Sequence, residues 1–128
     1  MPVITTKEPA SAVAAALVAE ASDSKPAYLV VYASHRNGRS WCGDCTAAEP
    51  YIEKKFAGDH ADTVRVVYAG LPEEWRTKDN QWRQAPFNVT KLPTLIKATG
   101  EKKWEKLVEA DVYDQKKLDA FVGGSSRL

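Results

Sequence analysis

The chain has 128 residues and a mass of 14.1 kDa, which is the size of a single domain. Hydrophobic residues make up 44% and charged residues 27%, a composition that excludes intrinsic disorder as the main state. A net charge of +1 lacks the basic excess of proteins that bind nucleic acid or anionic membranes. The longest apolar run, Ala12–Ala19, is far shorter than a membrane span of about 20 residues, and Met1–Ala10 lacks a signal-peptide pattern. We therefore expect a soluble, cytoplasmic monomer.

Strands and helices alternate in the first half of the chain. In order, the predicted elements are an edge strand at Val3–Thr6, a helix from Pro9, a strand at Tyr28–Ala33, a polar loop at Ser34–Ser40 and a helix from about Cys42 to Gly58. Tyr28–Ala33 is a continuous run of β-branched and aromatic residues, which is typical of a strand buried on both faces.

The second half ends on a hairpin and a helix. Its predicted elements are a buried strand at Thr63–Ala69, one irregular helix within Leu71–Pro86, a hairpin of Thr94–Ala98 and Lys103–Val108, and a last helix capped by Asp114. This order predicts an α/β three-layer sandwich with a central mixed sheet flanked by helices. We expect one domain over residues 1–122 and a flexible tail over 123–128, where glycine and serine are concentrated.

The segment Trp41-Cys42-Gly43-Asp44-Cys45 carries the most chemical information, because it follows a buried strand and a loop at the start of a helix. There, unpaired backbone N–H groups and the helix dipole favour a thiolate at Cys42. The thiolate is the nucleophile of disulfide exchange. Cys42 can attack a substrate disulfide, and Cys45, one turn further on, can resolve the mixed disulfide.

Three other interpretations of the two cysteines stay open at this point. A zinc site would need further ligands, for which His35 and His60 are the candidates, although they stand at no recognised spacing. Two inert thiols would be expected in apolar surroundings, which Arg39 and Asp44 do not provide. A structural disulfide would close a loop too short to stabilise the fold much. We expect no metal.

A second clue is the segment Leu92-Pro93-Thr94, which immediately precedes a predicted strand. An ordinary strand-initiating proline is one interpretation. The other is a cis proline beside Cys42, whose neighbouring backbone groups would be free to bind an extended substrate. Leu92 and Pro93 are thus candidate substrate-binding residues. Trp41 is expected to form a flat wall beside Cys42, whereas Trp75 and Trp82 are expected mainly in the core.

These features together resemble the thioredoxin superfamily, including Pro50, which stands eight residues after Cys42 within the helix. The residues Gly38–Cys45 and Ala48-Glu49-Pro50, followed by Leu92-Pro93-Thr94, are most similar to the 14 kDa thioredoxin-related (thioredoxin domain-containing protein 17) family. The resemblance covers about Tyr28 to Phe121. It implies a thioredoxin fold and a cytosolic disulfide reductase with Cys42 as nucleophile and Cys45 as resolving thiol.

The resemblance further implies that no cofactor is bound and that electrons come from NADPH through a thioredoxin reductase. The implied substrates are cystine and protein disulfides. Two positions depart from the relatives: Gly43 replaces the proline of the subgroup, and no residue of Tyr28–Ala33 matches the buried aspartate of thioredoxin. We expect Gly43 and Asp44 to tune the redox potential, and a water or another group to accept the Cys45 proton. The alternative function is a redox-sensing binding module whose partner association depends on the state of Cys42 and Cys45.

Overall fold

The structure, a computed structural model, describes residues 3–22, 24–57, 62–100 and 103–124. Within these residues the strands are β1 (Val3–Thr5), β2 (Ala27–Tyr32), β3 (His35–Arg36), β4 (Arg39–Ser40), β5 (Val64–Tyr68), β6 (Thr94–Ala98) and β7 (Trp104–Val108). The main sheet has the order β1-β5-β2-β6-β7. Strands β1, β5 and β2 are parallel, β6 pairs antiparallel with β2, and β7 pairs antiparallel with β6. The expected mixed sheet is confirmed.

Strand β2 lies at the centre of the sheet, and all six of its residues are buried. Its run of β-branched and aromatic side chains is suited to this position because both faces are covered. The helices that flank the sheet are α1 (Ala10–Glu20), α2 (Gly43–Lys55), α3 (Pro72–Trp75) and α4 (Gln115–Asp119). Helical turns at Gln81–Arg83, Glu109–Tyr113 and Ala120–Gly124 complete the described chain.

Helix α2 is the element that presents the cysteine motif, and its packing fixes its position on the sheet. The Phe56 ring, at the end of this helix, meets the Tyr28 ring of β2 edge-on, with 5.2 Å between ring centroids. Lys55 pairs with Asp119 of α4 at 2.8 Å. Ala48 and Ile52 are fully buried along the same helix face. Full burial of a large apolar side chain such as that of Ile52 stabilises the folded state by about 1.5–3 kcal/mol.

The expectation of a polar loop at Ser34–Ser40 is wrong in one respect, because this segment contains two short strands, β3 and β4, that pair as a hairpin. Asn37 and Gly38 form its turn with φ values of 56° and 82°. Positive φ at both central residues is the geometry that an Asn-Gly pair adopts most readily in two-residue hairpins. The Asn-Gly dipeptide was therefore the signal for this turn.

Other boundaries differ by smaller amounts. The irregular helix expected in Leu71–Pro86 is two separate pieces, α3 and the turn at Gln81–Arg83. Tyr68, expected in a buried strand, is 40% exposed. Pro9 is the cap of α1 and not its first residue. Gly58, the expected end of the second helix, and residues 125–128 of the expected tail lie outside the described residues. No helix in the described ranges has the length and apolar character needed to cross a membrane.

Candidate active site

Cys42 is the residue that caps the start of helix α2. Its φ of −106° and ψ of 114° are extended, and its sulfur accepts a hydrogen bond from the Cys45 backbone N–H at 3.2 Å. Its own N–H donates to Ser40 Oγ at 3.2 Å. A sulfur in this position receives one of the backbone donors that a helix start leaves unpaired, and this favours the negative thiolate.

The pKa of the Cys42 thiol is lowered to about 7. The largest cause is a hydrogen bond from the Cys45 side chain, and the backbone N–H of Cys45 acts in the same direction. Partial burial and the charge of Asp44 oppose these effects. The Cys42 thiolate therefore forms more readily than that of an ordinary cysteine. Sequence analysis gave the helix start as the cause and missed the larger contribution of the second thiol.

Cys45 lies behind Cys42 and is completely buried. Its sulfur accepts a hydrogen bond from the Ala33 N–H at 3.4 Å. Its pKa is raised, first by its hydrogen bond to Cys42 and then by burial. Both cysteines are free thiols. Two thiols in one helical turn thus have opposite tendencies: the outer one ionises readily and the inner one holds its proton.

A cleft of about 540 Å³ opens beside Cys42. One side is formed by the residues around the helix start, which we call the helix wall: Trp41, Cys42, Gly43 and Asp44. The Trp41 indole N–H donates to the Gly70 carbonyl at 3.0 Å, which fixes the ring beside the sulfur. The structure therefore brings these four predicted site residues together at one opening.

A second group of lining residues, which we call the arginine wall, consists of Trp75, Arg76 and Arg83. The Arg83 guanidinium stacks on the Trp75 ring at 4.1 Å, and its Nε donates to the Trp75 carbonyl at 2.6 Å. Trp75 and Trp82 are only 7% and 3% exposed, so both are core residues as expected. Trp75 also lines the cleft, and sequence analysis assigned no role to either arginine.

The cleft is also lined by Leu92, Thr90, Lys91 and Glu109. The Cys42 thiol donates to the Leu92 carbonyl at 3.7 Å. Pro93 is buried, and its peptide bond with Leu92 is cis. The Pro93 carbonyl accepts the Glu109 N–H at 2.8 Å. The Pro93 carbonyl is therefore paired within the protein.

Two further residues adjust the charges around the cysteines. The Tyr113 hydroxyl donates to Asp44 at 2.6 Å, and Asp44 in turn raises the pKa of Tyr113. Glu49 stands one helical turn after Cys45, and its negative charge contributes to the raised pKa of Cys45. The spacing of four residues was the available signal for Glu49. No local pattern connects Asp44 with Tyr113, which is 69 residues away.

Metal binding was one alternative for the cysteines. Within the described ranges, no group of three or more His, Cys, Asp or Glu side chains is arranged to hold a metal ion. His35 lies near Glu49, with 3.4 Å between the ring Nε2 and the carboxylate. His60, the other candidate ligand, lies outside the described residues.

The sheet order, the flanking helices and the paired cysteines at a helix start define a thioredoxin fold. Thioredoxin f from spinach chloroplast superposes with a TM-score of 0.66 over 99% of this chain and 95% of that chain, at 16% identity. Thioredoxin f2 in a complex with ferredoxin:thioredoxin reductase has a TM-score of 0.65 over 99% of this chain and 96% of that chain, also at 16% identity.

Residues 6–123 match the family described as "Thioredoxin domain-containing protein 17-like, thioredoxin domain", and the chain belongs to this family. Among its relatives, the thioredoxin-like protein Clot of Arabidopsis thaliana is 36% identical over 87 residues. That match spans 64% of each of the two proteins, slightly under two thirds of the Arabidopsis protein.

Proposed function

We propose that the protein is a thiol-disulfide oxidoreductase that works as a reductase of small and protein disulfides. The observation that carries the proposal is the asymmetry of the two cysteines. Cys42 has a pKa of about 7 and opens into a cleft, whereas Cys45 is buried directly behind it. A nucleophile needs access and ionisation, and a resolving thiol needs proximity and protection from competing substrates.

The reaction then has two exchange steps. The Cys42 thiolate attacks one sulfur of the substrate disulfide, forms a mixed disulfide and expels the first product as a thiolate, which takes up a proton. Cys45 loses its proton and attacks Cys42 Sγ, which expels the second product and leaves a Cys42–Cys45 disulfide. Two electrons pass from the protein to the substrate, and one disulfide is exchanged for another.

We propose that a thioredoxin reductase restores the dithiol with electrons from NADPH, without a cofactor bound to this chain. The family membership supports this partner, and a thioredoxin-fold neighbour is seen in complex with a reductase of another type. We also propose a cytoplasmic location, where reducing conditions keep a dithiol of this kind reduced. Cystine and disulfide-containing proteins are the proposed substrates.

A coupled assay tests the proposal. The full chain is mixed with NADPH and thioredoxin reductase, with cystine or insulin as substrate, and NADPH oxidation is followed. Continuous oxidation that depends on the chain supports a reductase. The control is Cys42→Ser, which should give the rate measured without the chain. A single stoichiometric oxidation with no turnover on either substrate would favour the redox-sensing binding module.

A further inference from the structure

The charged side chains that line the cleft differ in whether they have partners within the protein. Its two carboxylates both have partners in the protein: Asp44 accepts from the Tyr113 hydroxyl at 2.6 Å, and Glu109 pairs with Lys91 at 3.5 Å. The two arginines of the arginine wall have no carboxylate partner among the described residues. Because the Tyr113 hydroxyl is neutral, Asp44 keeps its negative charge, and the charged lining residues (Arg76, Arg83 and Lys91 against Asp44 and Glu109) sum to one positive charge. The charged donors that no carboxylate of the described chain engages are those of the arginine wall.

Arg83 is held in place rather than free in solvent. Its Nε donates a hydrogen bond to the Trp75 carbonyl, and its guanidinium lies over the Trp75 ring. These two contacts leave the terminal nitrogens of the guanidinium without a partner among the described residues. Because this guanidinium is already fixed, it would lose little conformational entropy when a ligand binds. Its terminal N–H donors match the two oxygens of a carboxylate.

Arg76 is exposed at the end of helix α3 and adds a second positive charge on the same side. It has no hydrogen bond or ion pair through its side chain in the described part of the chain. Because it is exposed, its effect is one of attraction over a distance, which salt screens. Arg83 is thus the residue placed to bind a carboxylate directly, and Arg76 makes the electrostatic potential of the cleft more positive.

We infer that the cleft selects disulfides that carry a carboxylate close to the sulfur, with Arg83 binding the carboxylate while Cys42 attacks. The inference rests on the proposed reductase function and names the substrate class of that same site. Glycine, glutamate or aspartate groups beside a cystine in a small molecule or peptide would provide the acid. A disulfide with positive groups in the same place is disfavoured by both arginines.

The test uses three small disulfides of similar size and different charge: 3,3′-dithiodipropionate with two carboxylates, bis(2-hydroxyethyl) disulfide with no charge, and cystamine with two ammonium groups. The reduced full chain is mixed with each disulfide, and samples are quenched in acid at increasing times. Intact-protein mass spectrometry then gives the rate constant for oxidation of the chain. No reductase is needed, so selectivity is measured apart from recycling. Each rate constant is divided by that of the same disulfide with dithiothreitol, which removes the difference in leaving-group pKa. We expect these ratios in the order dianion, neutral, dication.

Arg83→Gln should lower the ratio of the dianion to the neutral rate constant by roughly tenfold, the size expected for a charged hydrogen-bonded pair. Arg83→Lys should restore part of this ratio, since it keeps the charge and loses the fork. Arg39→Gln is the matched control: this exposed arginine does not line the cleft, and the ratio should stay the same. Added salt should reduce the difference among the disulfides in the unmodified chain.

Two results would overturn the inference. One is that the three rate constants in the unmodified chain are equal once each is divided by the rate constant of the same disulfide with a small neutral dithiol such as dithiothreitol. The other is a loss in Arg83→Gln that is the same for all three, which would assign Arg83 a structural role at Trp75. Failure of every disulfide to oxidise the chain is a different outcome: it would overturn the proposed function and this inference together.

Discussion

The two walls of the cleft contribute different parts of the site. The helix wall carries both the sulfur with the lowered pKa and the charge that opposes its ionisation, and it arises from consecutive residues at one helix start. The arginine wall holds no nucleophile; it comes from two short helical pieces that are separated in sequence and joined by Arg83 and Trp75. Under the proposed function, the difference teaches that reactivity would depend on local sequence, whereas selection among substrates would depend on the tertiary fold.

The largest expected effect comes from the cysteines of the helix wall. Cys42→Ser should reduce disulfide turnover to the rate without protein, because a hydroxyl is a far weaker nucleophile at neutral pH. Cys45→Ser should still attack and should accumulate a mixed disulfide that it cannot resolve. The measurement is the mass of the intact protein after incubation with a disulfide and quenching in acid.

Circular dichroism is the control for this pair, since neither cysteine joins distant parts of the chain and both variants should stay folded. A covalent adduct found on Cys42→Ser and absent from Cys45→Ser would reverse the two roles. The comparison of the walls would then fail, because the accessible sulfur would not be the reactive one.

The next prediction concerns pH. Alkylation of the reduced protein by iodoacetamide should rise through a midpoint near pH 7, because deprotonation of Cys42 creates the reactive thiolate. Below the midpoint the thiol predominates and alkylation slows about tenfold for each pH unit. Cys45 should stay unmodified across this range, as its pKa is raised and its sulfur is buried. Peptide mapping distinguishes the two sites, and a midpoint above pH 8.5 would contradict the site geometry.

A smaller change is expected for Asp44→Asn, which sharpens the view of the helix wall as a balance of opposed charges. The negative charge of Asp44 raises the pKa of Cys42, so its removal lowers that pKa. Alkylation at pH 6 should become roughly two- to threefold faster. Glu105→Gln, on the exposed strand β7, is the matched control and should have no effect. Slower alkylation of Asp44→Asn would show that Asp44 helps the thiolate.

The smallest effect should come from Gly43→Pro at the first residue of helix α2. Cys42 before it is already extended, as a residue preceding proline must be, and a Cβ at Gly43 meets no atom within 4 Å. The substitution restricts the unfolded chain, and the free energy of unfolding should increase by about 0.4–1 kcal/mol. Chemical denaturation of the reduced proteins measures it, with Gly43→Ala for comparison. A decrease would mean that the helix start needs the freedom or the N–H of glycine.

Sequence reasoning predicted the sheet and the helix wall because both rest on local patterns. The apolar run at β2 and the position of Cys42 beside a helix start are visible within a few residues. The arginine wall was not predicted, since Arg83 acquires its meaning only by stacking on Trp75, which folding brings beside it. The Asp44–Tyr113 hydrogen bond was missed for the same reason. The hairpin turn at Asn37-Gly38 was a local signal that was overlooked.

The hydrogen bond between Asp44 and Tyr113 also has a consequence for synthesis on the ribosome. The dithiol segment emerges first, and Asp44 meets its partner only after a further 69 residues have been added. Strand β6, which pairs with β2, and Glu109, which holds the Pro93 carbonyl, also follow later in the chain. We therefore expect that Cys45 in a nascent chain reaches its buried position only after these later residues have folded against β2. Until then we expect both thiols to be open to oxidation.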